Sequence, residues 1–268
     1  MKLQSFEQYS YENGYSRQEE LTFRDCGPDK QVKISALLSK MAFFGGFDYD
    51  ARGLTHEKLL EMRNVFLFSR AAIRIHRRPK DREVLTIRTW EDGVKGAHMR
   101  RVYEMEDADG KVCVSAKSDW ILVDPETRKI LRPAAFTARQ MHECPKEIDC
   151  PDPKKIRFPK AEAGSVQAGT ISPDTVSAEA LGSWTVPWSA LDGNGHLFSG
   201  NYGDIVWDFL PAELRDRPVR EFYINYSKEA TLGETLRLAG IRETDAFFME
   251  GVGPEGTCFL SEIVFAEK

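Results

Sequence analysis

Asp192, Asn194 and His196 occupy alternate positions of the stretch "DGNGH", with Gly193 and Gly195 between them. The three side chains differ in what they can do. A carboxylate accepts protons, a carboxamide both donates and accepts hydrogen bonds, and an imidazole moves a proton near neutral pH. Such a set suits proton transfer to or from a reacting group. Each residue also has a structural account. Aspartate ahead of glycine marks a turn or a helix N-cap, asparagine suits a left-handed turn position, and a lone histidine is an ordinary hydrogen-bonding residue. A surface turn explains the aspartate and the glycines. It leaves unexplained the histidine and the aromatic segment "LFSGNYGDIVWDFL" that runs on from it.

The rest of the chain bounds what this stretch can belong to. A length of 268 residues with 41% apolar residues accommodates one large domain or two small ones with a real core. No apolar run is long enough for a membrane span. The first residues, "MKLQSFEQYSYENGYSRQEE", hold several charges and no apolar core of a secretory signal, so a cytoplasmic location is expected. The net charge of −5 argues against a nucleic-acid partner, which requires a basic face. The five cysteines fit no zinc spacing and are expected as reduced thiols, although Cys144 and Cys150 flank the short "PKEID" and are close enough in sequence to bridge. No glycine pattern for a nucleotide and no histidine–carboxylate cluster at ligand spacing is present, so neither cofactor nor metal is expected.

The elements that must position the polar set come in two similar series. In the first, "EELTFRDCGPD" reads as strand and turn, and "VKISALLSKMAFFGGFDYDARG" as a helix. Ile34, Leu37, Leu38, Met41 and Phe44 share one face of that helix, and the pair Gly45–Gly46 is expected to end or loosen it. Strands follow in "VFLFSRAAIRI", "EVLTIRTW", "HMRRVYEMED" and "VCVSAKSDWILVD", with a hairpin turn at Asp109-Gly110. The second series runs "GSWTVPWSALDGN", then the aromatic segment as a short helix, then four strands in "REFYINYSKEA", "ETLRLAGIRE", "AFFMEGVG" and "TCFLSEIVFAEK". The stretch 73–88 aligns on 224–239 without a gap, which sets Arg78 against Glu229. Between the series lies proline-rich sequence with little periodicity, as a surface connector would have. The expected division is residues 1–135, a linker at 136–178, and residues 179–268. A strand, a central helix and a long antiparallel sheet wrapped around it describe the α+β hot-dog fold, here doubled.

With that architecture the chain resembles the acyl-acyl-carrier-protein thioesterases of bacteria and plant plastids over nearly its whole length. The resemblance rests on "GAHMRRVYEMEDADGKVCVSAKSDWILVDPETRKILRP" (96–133), on "LDGNGH" (191–196), similar to the family's L-D-x-N-x-H, and on "INYSKEA" (224–230), similar to its strand ending Y-R-R-E-C. It departs in the residues after His196, where Leu197, Phe198 and Ser199 replace the family's H-V-N-N pattern, and at Ala230, where plant members carry cysteine. The resemblance implies hydrolysis of fatty acyl-carrier thioesters, and catalytic roles for Asp192, Asn194, His196 and Glu229.

Hydrolysis of a thioester requires a nucleophile, a proton acceptor and donors for the developing oxyanion. With alanine at 230, a cysteine nucleophile at that position is excluded, and carboxylates remain. Glu229 would activate a water or, less simply, attack directly. Asn194 and His196 would position water or the carbonyl, Asp192 would orient its neighbours, and amides at the start of the next helix would face the oxyanion. One working site is expected, in the second half. The first half would bind the acyl chain, with Met41, Phe44 and Phe47 as lining or core residues. The implied partner is an acidic acyl-carrier protein with its phosphopantetheine-linked acyl group, docked on Arg74, Arg77, Arg78, Arg100 and Arg101; ordinary solvated charge is the competing account of these arginines. A homodimer is compatible with the design. The rival readings are a hot-dog 3-hydroxyacyl thioester dehydratase, an acyl-coenzyme A thioesterase and a non-catalytic acyl-binding module.

Overall fold

The computed structural model describes residues 7–10, 14–138, 147–159 and 178–267. The chain divides into two compact units, one of Met1–Lys154 with Ser199–Asp204, the other of Lys155–Phe198 with Ile205–Lys268. In the first unit, β1 (Glu7–Ser10) and β2 (Gly14–Glu20) precede the helix α1 (Ile34–Ala51). A short α2 (His56–Glu61) leads into β3 (Val65–Ile75), β4 (Val84–Lys95), β5 (His98–Glu106), β6 (Val112–Val123) and β7 (Ile130–Leu131). The strands pair antiparallel in the order β1-β2-β4-β5-β6-β3, with β7 beside β6. The expected apolar face of α1 is the core: Leu37, Leu38, Met41 and Phe44 are fully buried and Ile34 nearly so. Each contributes about 1.5–3 kcal/mol by leaving water. Phe44 and Phe47 pack together and against Tyr15 of β2, ring centroids 5.6–6.3 Å apart.

The glycine pair does not end α1, which continues through Gly45 and Gly46 to Ala51. Gly45 is buried, and a Cβ there would lie 3.5 Å from Arg101 Cδ and 3.7 Å from the Tyr103 hydroxyl. A Cβ at these distances would make ordinary contact; tertiary packing of the helix outweighs glycine's poor helix propensity.

In the second unit lies β8 (Glu179–Thr185); α3 (Asn201–Asp208) follows, its residues from Ile205 on belonging to this unit, and then α4 (Ala212–Arg215). Then come β9 (Val219–Tyr226), β10 (Thr235–Arg242), β11 (Ala246–Gly253) and β12 (Gly256–Phe265). Their antiparallel order is β9-β12-β11-β10-β8. Period-two burial along β11 and β10 puts Leu236, Leu238, Phe247 and Met249 inside.

Within the expected linker, residues 148–152 pack in the first unit. Ile148 and Cys150 are buried, the Cys150 thiol lies 3.6 Å from the Ala72 carbonyl oxygen, and Asp149 and Asp152 pair with Arg74 and with Arg100 and Lys117. Cys144 lies outside the described residues.

Candidate active site

The polar set sits on a closed loop. A 3-10 turn at Trp188–Ala190 leads to a bridge between Leu191 and Leu197, and Phe198 N–H donates to the Ala190 carbonyl at 3.0 Å. Asp192 N–H donates to the His196 carbonyl at 2.8 Å, and Gly195 N–H to the Asp192 carbonyl at 3.0 Å. Gly195 has φ +81°, where a side chain would be strained. The Asp192 carboxylate accepts the N–H of Asn194 at 2.8 Å and of His196 at 3.2 Å. It thus builds the loop, which is the local role that aspartate before glycine suggests. Asn194 is exposed at the loop tip.

The loop is tied to the turn after β9. His196 bridges Thr231, and Leu197 N–H donates to the Ala230 carbonyl at 2.8 Å. Thr231 N–H in turn donates to the Glu234 carboxylate at 2.7 Å. These contacts bring His196 Nε2 to 3.3 Å from Glu229 Oε2, with side chains 27% and 30% exposed. Two groups distant in sequence therefore form one solvent-reachable imidazole–carboxylate pair. Ala230 is fully buried.

The first unit repeats this backbone pattern residue for residue. Gly27 N–H donates to the Gln31 carbonyl, Lys30 N–H to the Gly27 carbonyl, and Val32 N–H to the Pro79 carbonyl, each at 2.9 Å. Cys26 bridges Val32 and Gln31 bridges Lys80, as Leu191 bridges Leu197 and His196 bridges Thr231. Lys30, at φ 59°, takes the left-handed position of Gly195. Gln31 thus stands in the place of His196, Asp29 in that of Asn194, and Arg78 in that of Glu229. Arg78 Nη1 pairs with Asp29 Oδ2 at 2.9 Å and Nη2 donates to the Val32 carbonyl at 2.7 Å.

None of the arginines expected to dock a partner stands apart from the chain's own acids. Arg74 pairs with Asp149, Arg77 with Glu83 and Asp107, and Arg100 with Asp119 and Asp152. Arg101 is buried, 2.7 Å from Asp48 and stacked on Tyr49; a guanidinium in that position presents nothing to a partner. Burial and the neighbouring Glu91 raise the Tyr49 phenol well above its ordinary pKa. Glu83, Asp107 and Cys113 lie close enough together to hold a cation. The guanidinium of Arg77 already bonds all three, so a protein cation occupies that position. Met41 and Phe44 are core, and Phe47 is half-buried under Arg17.

Two units that each place a helix before an antiparallel sheet define a double hot-dog, and comparison with solved structures bears this out. The chain superposes on an acyl-ACP thioesterase from Bacteroides thetaiotaomicron with a TM-score of 0.80 at 21% identity, covering 94% of this chain and 97% of the other. It superposes on the 12:0-ACP thioesterase from Umbellularia californica with a TM-score of 0.72 at 16% identity, covering 98% and 100%. Residues 12–135 match the family described as acyl-ACP thioesterase N-terminal domain, so the family resemblance read from the residues holds over that stretch. An oleoyl-acyl carrier protein thioesterase from Arabidopsis thaliana is 25% identical over 232 residues, 81% of this chain; the chain spans 60% of that relative's length.

Sequence reasoning missed Glu234, which fixes the turn beside Glu229. The spacing Thr231-x-x-Glu234, a capping-box pattern, was the available signal. It also missed Gln31 as the counterpart of His196, because Gly27–Gln31 shares no residue with Asp192–His196 at matching positions.

Proposed function

We propose that this protein hydrolyses the thioester of a fatty acyl-acyl-carrier protein to a free fatty acid and the carrier thiol. The observation that carries this reading is the 3.3 Å approach of His196 Nε2 to Glu229 Oε2 at a solvent-reachable position. The Glu229 carboxylate accepts a proton from water as the water oxygen attacks the thioester carbonyl carbon. His196 holds that carboxylate, and the exposed Asn194 amide donates toward the carbonyl oxygen. Asp192 acts through the loop it builds. Collapse of the tetrahedral intermediate breaks the C–S bond, and the leaving sulfur takes up a proton. The buried alanine at 230 supports water rather than a thiol as nucleophile.

Within this reading the first half, residues 1–135, contributes the acyl-binding part, and residues 179–268 the chemistry. Cys26, Cys113 and Cys258 carry no disulfide, which supports a reducing compartment such as the cytoplasm. No helix among the described residues is long and apolar enough to cross a membrane. The reading is tested by colorimetric thiol release from acyl-carrier protein and from acyl-coenzyme A across acyl lengths. Release favouring the carrier supports it. No release, together with reversible hydration of a trans-2-enoyl thioester, would replace the hydrolase by a dehydratase.

A further inference from the structure

The first unit carries an open groove of about 800 Å³ between the β4–β5 hairpin and the segment around β7. Val94, Ala97, Ile130, Leu131 and Phe136 line it, and the lining holds one charge, Arg132. Val94 and Ile130 are largely exposed, which is unusual for apolar side chains placed side by side. The floor is firm: Phe136 packs with Leu59, Met99 and Leu122, and edge-on against Phe66 at 5.1 Å. Cations adjoin the groove. Lys95 lies between the lining residues Val94 and Gly96, and Lys129 directly precedes Ile130. Among the described residues, no carboxylate pairs with Lys95, Lys129 or Arg132. The acids of the adjoining turn, Asp124 and Glu126, are held by Arg63.

We propose that this groove is the docking surface for the acidic carrier protein, with an amphipathic helix of the carrier laid on the apolar lining and its carboxylates facing Lys95, Lys129 and Arg132. Charge complementarity argues for this occupant: an apolar trough with an uncompensated cationic border selects an acidic amphipathic element. The arginines first expected to dock a partner argue the same way, since Arg74, Arg77, Arg78, Arg100 and Arg101 are all neutralised within the chain. The proposal rests on the thioesterase reading for the identity of the partner.

The test compares the full chain with Lys129→Glu/Arg132→Glu. Unacylated holo-carrier protein is titrated by fluorescence anisotropy, and turnover is followed on acyl-carrier protein and on the same acyl group carried by pantetheine alone. For two reversed border charges the carrier Kd and the KM for acyl-carrier protein rise about tenfold or more. The kcat, the melting temperature and the kinetics on acyl-pantetheine stay as in the parent, and Arg132→Gln falls between. An unchanged carrier Kd overturns the proposal. So does an equal loss on both substrates, which would make the groove a seat for the acyl or pantetheine chain. A change of oligomeric state in place of carrier affinity would assign the groove to a second copy. If the parent hydrolyses nothing yet binds carrier with the same dependence on Arg132, the docking surface stands and the hydrolase reading falls. A parent that binds no carrier removes the docking surface itself.

Discussion

Replacing Glu229 with glutamine separates chemistry from folding. The two side chains have the same shape, so the change removes the charge and basicity while keeping the volume. Glu229 and His196 are each more than a quarter exposed, and a pair at this exposure is screened by solvent. Such pairs contribute about 0.2–1 kcal/mol to stability. In a chain of this size that is a shift in melting temperature of at most about 4 °C. Loss of a general base removes about 10² to 10⁴ in rate, or about 3–5 kcal/mol of transition-state stabilisation. The catalytic effect therefore exceeds the structural one severalfold, and a melting curve beside a thiol-release assay resolves them. If both residues serve one water, Glu229→Gln and His196→Ala combined cost little more than the worse single change. Turnover within threefold of the parent in either single variant would refute the assignment, even with hydrolysis established.

Asp192→Asn retains an acceptor for the Asn194 and His196 amides and keeps most of the activity, whereas Asp192→Ala opens the loop and lowers kcat; steady-state kinetics of both variants decide whether Asp192 builds or reacts. Arg101→Ala leaves the buried Asp48 with Arg52 as its remaining cationic partner and costs about 1–3 kcal/mol in urea denaturation. Gly14→Ala sets a Cβ 2.3 Å from the Thr89 carbonyl oxygen at φ +75°, and melting falls by several degrees because backbone cannot yield. The Thr127 amide, with the Arg63 side chain, holds the Asp124 carboxyl at about 2, below its ordinary value. That stabilising contribution is complete above about pH 4, the range of an unfolded aspartate, and is lost as pH falls through about 2. The Thr127 amide resonance in a pH titration reports it, and a midpoint near 4 would contradict the geometry.

The fold was legible because burial follows local periodicity. Strand limits at Ile75 and Val84 in the first half, and at Tyr226 and Thr235 in the second, coincide with the gapless alignment of 73–88 on 224–239. The turn that carries Asp192, Asn194 and His196 was legible because aspartate and glycine at this spacing favour a turn. The state of the arginines was not. Arg74, Arg100 and Arg101 read as surface charge, and their partners Asp149, Asp152 and Asp48 come from other elements with no local signal. The helix passing through Gly45 and Gly46 was equally hidden, because the side chains packed beside Gly45, Arg101 and Tyr103, belong to a strand far along the chain.

The two loops show what separates a scaffold from a site. Both units close the same turn with the same backbone hydrogen bonds, so the main chain does not distinguish the two loops. The difference is in the side chains. Where the second unit opposes an imidazole to a carboxylate, the first opposes Gln31, which cannot carry a proton at neutral pH, to Arg78, which does not release one. Arg78 is also committed elsewhere, to Asp29 and to the Val32 carbonyl, so its charge closes the loop instead of facing a substrate. Glu83 accepts the Lys80 amide at 2.9 Å as Glu234 accepts that of Thr231, which keeps the turn intact in both. The first half thus keeps the turn-fixing glutamate and lacks the proton-transfer pair. Opposing an imidazole to a carboxylate in the first unit would require new side chains at 31 and 78, with the backbone already in place.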